Sequence, residues 1–61
     1  MQYGEARIAA LERKHRTLEG EIDVERGRPL VNAPRLVELR REKLRIKDEI
    51  GRLQSQLVFA H

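Results

Sequence analysis

His15 and Lys43 are the two residues whose type and placement admit chemistry, since an imidazole can shuttle protons and a desolvated lysine can act as base or nucleophile. Each interrupts an apolar row at a place where a hydrophobic side chain belongs. In the first half of the chain the row is Ile8, Leu11, His15, Leu18 and Ile22. In the second half it is Leu36, Leu39, Lys43, Ile46, Ile50, Leu53 and Leu57. Both rows advance by alternating steps of three and four residues, which is the period of a coiled-coil seam. A lysine in such a seam lays its methylenes along the apolar side chains and carries its ammonium to water. Glu42 and Glu19 stand at suitable positions to receive it. A charged imidazole next to Lys43 would oppose pairing, and the gain from the two polar positions is register, because a slipped alignment buries one of them without a partner.

Other candidates for chemistry are weaker. Ser55 is the sole serine and has no histidine placed to activate it; His61 is the last residue. There is no glycine-rich phosphate loop and no cysteine for a disulfide or thiolate site, and the two histidines are too far apart in sequence for a local metal pair. Two helices also cannot enclose a pocket with convergent polar groups. The sequence therefore predicts no catalytic, cofactor-binding or metal-binding residues, no small-molecule substrate and no enzymatic activity.

The elements that carry these residues follow from the punctuation of the chain. The first helix is predicted over about residues 5–26, ending where Gly27 can take the left-handed conformation and Pro29 forbids continuation. The second is predicted over about residues 33–58, with Asn32 as cap and Pro34 in the first turn, where its missing N–H costs nothing. A linker of residues 27–32 is short enough to force the helices back on each other. The fold class is all-α: one domain, residues 1–61, an antiparallel two-helix hairpin with a coiled-coil seam. Folding about residue 30 or 31 sets Ile22 against Leu39, Leu18 against Lys43, His15 against Ile46, Leu11 against Ile50 and Ile8 against Leu53, with Tyr3 and Phe59 at the open end.

Charge separates the two arms. Residues 1–25 hold four bases and six acids, net −2, and residues 26–61 hold nine bases and four acids, net +5. The arms attract. On the second helix the bases are interleaved with acids at pairing distance, Glu38 with Arg41, Glu42 with Arg45, and Asp48 and Glu49 with Arg52. Arg26, Arg28 and Arg35 flank the linker with no acid between positions 26 and 37 and form a candidate anion contact. That tip, extended by Arg41 and Arg45, supports an alternative reading as a nucleic-acid-associated regulatory protein. No aromatic is placed to stack on a base and no groove-reading module is present.

The apolar residues outnumber the seam. Val37 and Leu44 lie about 100° round the second helix from the Leu36 row, and Leu30 and Val31 in the linker add to them. A two-helix layer has no second core to hide this surface, and a chain of this size is marginal alone, so a homo-oligomeric helical bundle or a protein partner is expected. No apolar run approaches membrane-spanning length, and Met1 to Glu5 lack the layout of a signal peptide, so a cytoplasmic protein is expected.

Leu11, His15, Leu18 and Ile22-Asp23, then Arg28-Pro29, then Leu36, Leu39 and the run Glu42-Lys43-Leu44-x-Ile46-Lys47-Asp48-Glu49-Ile50 resemble the YdcH-like family of short bacterial proteins of unknown function. The resemblance implies a bacterial, cytoplasmic helical hairpin and brings no catalytic or binding residues with it. One departure is the linker, where Val31-Asn32-Ala33-Pro34 replaces the acids that members carry before the second helix.

Overall fold

The computed structural model describes the backbone of residues 2–59 and the side chains of residues 4–57. Two helices account for nearly all of it: α1, Gln2–Arg26, and α2, Ala33–Phe59. They lie against each other as an antiparallel all-α hairpin, with Cα extents of 49 × 14 × 11 Å, so the molecule is one helix thick in its thinnest direction. The α1 helix begins three residues before the expected start, since nothing in Gln2 or Tyr3 resists a helix. The expected meeting of Tyr3 and Phe59 concerns side chains outside the described residues, as does His61.

The start of α2 is built on Asn32. Its side-chain oxygen accepts the Arg35 N–H at 3.1 Å and its carbonyl accepts the Leu36 N–H at 3.0 Å, so two donors of the first turn are satisfied. Pro34 lies inside that turn. The end of α1 differs from expectation, because Gly27 does not adopt a positive φ. Its N–H instead lies between the Asp23 and Val24 carbonyls at 3.1 and 3.2 Å, and the Arg28 N–H reaches the Glu25 carbonyl at 3.3 Å. The last turn tightens toward three-residue bonding, which satisfies the terminal carbonyls without a left-handed residue.

The core is the seam. Leu11, Leu18 and Ile22 of α1 meet Leu39 and Ile46 of α2, with Leu36, Ile50 and Leu53 partly buried against them, and Ile8 is buried farther toward the open end. Near that end a methyl on Gly4 would stand 3.3 Å from a Leu57 methyl, so the helices run close over their whole described length. No described side chain falls below 2% exposure, as expected where each helix has a neighbour on one side only.

Candidate interaction surface

Three polar groups sit in or beside the seam and set its geometry. The first, Glu25, is 3% exposed and occupies the next three-residue step after Ile22, a position the apolar reading of the row ended before. Its Oε2 accepts the Asn32 N–H at 3.0 Å, while Oε1 lies 3.8 Å from Arg28 Nε and 4.0 Å from Arg35 Nε. The carboxylate thus closes the hinge from inside, joining the end of α1 to the cap of α2. The signal was present in the spacing, since residue 25 continues the row of 8, 11, 15, 18 and 22.

The other two are His15 and Lys43, and both lie beside one carboxylate. Glu19 stands between them, with Oε1 3.4 Å from His15 Nδ1 and Oε2 3.5 Å from Lys43 Nζ. A carboxylate shared by the two side chains offsets the like charge that the row alone would set side by side. Of the two acids expected to receive Lys43, Glu19 does so, and Glu42 turns to Lys14 at 3.7 Å and Arg45 at 4.0 Å. His15 Nε2 is buried with no hydrogen-bond partner among the described residues.

The two edges of the seam differ. One edge carries a ladder of cross-helix ion pairs, Arg7 with Glu49 at 2.7 Å, Lys14 with Glu42 at 3.7 Å and Glu21 with Arg35 at 3.7 Å. On each helix these residues are seven apart, so the rungs repeat once per two turns. The opposite edge has the Glu19–Lys43 pair and an open groove lined by Glu12, His15, Arg16, Lys47 and Ile50. Hydrophobic periodicity did not show this asymmetry, which appears only when charges are compared across the fold.

The expected pairing along α2 is corrected in two places. Glu49 pairs with Arg7 across the hairpin rather than with Arg52, which Asp48 holds alone at 3.6 Å, and no Glu38–Arg41 pair forms among the described residues. Glu42 and Glu49 reach across the hairpin and Asp48 turns to Arg52, and Arg40, Arg41 and Lys47 keep no carboxylate oxygen within 4.0 Å among the described residues.

Of the candidate anion contacts, Arg28 and Arg35 lean on Glu25, and Arg35 also on Glu21, so two of the three tip cations are met internally. Arg26 is exposed and has no such partner among the described residues. The candidate partner residues are exposed as a set: Leu30 by 89%, Leu44 by 68%, Val37 by 51% and Val31 by 43%. Val24, at 64%, joins them and was not singled out from the sequence. Val37 and Ile46 are nine residues apart, about 180° of helical turn, so Val37 points away from the buried row and not merely to its side.

A model described as "Protein of unknown function (DUF465)" matches residues 8–54. The chain belongs to this family. DUF465 is the family of small proteins called YdcH-like above. The match spans both helices and the linker and so includes Glu25, Glu19 and every rung except Arg7. No curated protein and no solved structure matches the chain. Among the described residues no helix is long and apolar enough to cross a membrane.

Proposed function

We propose that this DUF465 chain is a non-enzymatic helical interaction module of the bacterial cytoplasm that acts by association, in the first place with a second copy of itself. The observation that carries the reading is the combination of a hairpin 11 Å thick with Val24, Leu30, Val37 and Leu44 left in water. Burying apolar area yields about 25 cal/mol per Å², and a single layer leaves one side of each helix without a neighbour. Stacking a second hairpin supplies that neighbour from the same sequence and gives a four-helix bundle.

Sedimentation equilibrium from micromolar to submillimolar protein tests the reading. The wild-type chain is expected to associate, and Leu44→Glu, on an exposed position that leaves the seam intact, is expected to weaken association. A wild-type chain that stays monomeric throughout removes it. The alternative, contact with nucleic acid through the linker arginines, draws less support because Arg28 and Arg35 face Glu25. Its own signature is a steep loss of duplex binding with salt, which apolar association lacks.

A further inference from the structure

The two edges of the seam divide the surface charge so that one broad face of the hairpin is complementary to itself. On the edge bearing the ladder, acids and bases meet within the molecule. On the other edge Glu5, Glu12 and Asp23 of α1 have no base within 4.0 Å among the described residues, nor do Arg40 and Lys47 of α2 have an acid. An acidic row on α1 therefore runs beside a basic row on α2, with Arg16 as a cation on the rim of the groove between them. The buried, unpartnered Nε2 of His15 lies under that groove, and Ile50 lines it.

We propose that this face is the interface with a second copy, stacked by a two-fold axis parallel to the helices so that α1 of each hairpin lies over α2 of the other and both hinges are at the same end. This rests on the associative reading above and specifies its geometry. Two face-to-face arrangements are open to a two-fold pair of hairpins. An axis across the helices places α1 over α1 and α2 over α2, acid on acid and base on base. An axis along them places acids over bases; both arrangements keep neighbouring helices antiparallel, so charge is what separates them. Heights along the hairpin are preserved by the second operation, and Glu12 and Lys47 already share one height because they line one groove. Glu12 of each copy then faces Lys47 of the other, and one heptad farther along, Glu19, which already pairs with Lys43 of its own chain, stands over Arg40. This repeats between copies the seven-residue ladder that the opposite edge makes within one.

The test uses charge reversal at exposed positions, so folding is retained and is checked by helical circular dichroism. E12K and K47E are each made in the full chain, along with the doubly reversed E12K/K47E. Each single variant sets two like pairs across the interface and is expected to raise the dimer dissociation constant by about tenfold. Mixing the two single variants in equal amounts is expected to restore wild-type association, since each then supplies the charge the other lacks. Only an intermolecular pair can give that rescue. The doubly reversed chain is expected to associate as wild type. Association of the wild type with no effect of either single variant, or no gain on mixing, overturns this geometry and leaves the associative reading standing. A tighter E12K homodimer indicates the α1-over-α1 stacking and also overturns it. A monomeric wild type overturns both.

Discussion

Glu25 does for the hinge what no apolar residue at its position could do, because its buried carboxylate accepts the N–H of Asn32 and so joins the end of α1 to the cap of α2. A hydrogen bond to a charged group contributes about 1.5–3 kcal/mol. Glu25→Ala is therefore expected to lower stability by about that amount. Glu25→Gln, which keeps an acceptor oxygen and loses the charge facing Arg28 and Arg35, is expected to cost less. Urea unfolding of the two variants at one protein concentration checks the order, and equal losses would mean that the guanidiniums, not the backbone hydrogen bond, hold the turn. At this scale the sequence was legible in part. His15 and Lys43 stood out because they broke an apolar row, and Lys43 does pair with Glu19. Glu25 lay on the same row one step farther, but a carboxylate next to a predicted helix end reads as solvated until the linker is seen to fold its N–H groups onto it.

Between the helices, the ladder of Arg7–Glu49, Lys14–Glu42 and Glu21–Arg35 has a sign order that specifies alignment. The order along α1 is plus, plus, minus. Sliding α2 by one heptad in one direction sets Lys14 against Arg35, and in the other sets Glu21 against Glu42. The leucines and isoleucines of the two rows repeat every heptad and would themselves accept either slip with the loss of terminal layers, so the charges, with His15 and Lys43, discriminate where the leucines do not. The pairs are partly exposed, and each is worth only about 0.2–1 kcal/mol. Lys14→Glu is expected to destabilise the hairpin by up to about 1 kcal/mol through contact with Glu42, and the swap Lys14→Glu/Glu42→Lys is expected to recover most of it. Thermal melts of the singles and the double close the cycle; a double as unstable as the sum of the singles would show that the rung carries no coupling. Helix limits and pairing partners were readable from Gly27, Pro29, Asn32 and Pro34, because turn chemistry is local. The conformation of Gly27 and the partners of Glu49 and Glu38 were not, because spacing along one helix says nothing of what the other helix offers across the seam.

The whole molecule carries its charges in opposition, an acidic arm against a basic one, and salt decides how much that opposition contributes. Four cross-helix pairs, Arg7–Glu49, Lys14–Glu42, Glu21–Arg35 and Lys43–Glu19, lie between 2.7 and 3.7 Å. Working against them, Arg40, Arg41 and Lys47 on α2 repel one another. Arg40 and Lys47 are about 10 Å apart along the axis, already beyond the screening length of roughly 8 Å at physiological ionic strength. Repulsion over that distance is already damped at physiological ionic strength, and attraction across the pairs at 2.7–3.7 Å is damped far less. Raising salt to about 1 M, where the screening length falls to roughly 3 Å, should therefore weaken the hairpin. With four exposed pairs each worth a few tenths of a kcal/mol, the loss is on the order of 1 kcal/mol. Urea unfolding in sodium chloride, at protein concentrations below association, measures it without adding a charged denaturant. A hairpin that gains stability with salt would mean that repulsion among the α2 cations outweighs attraction between the arms, and would leave the apolar seam as the only force pairing the helices.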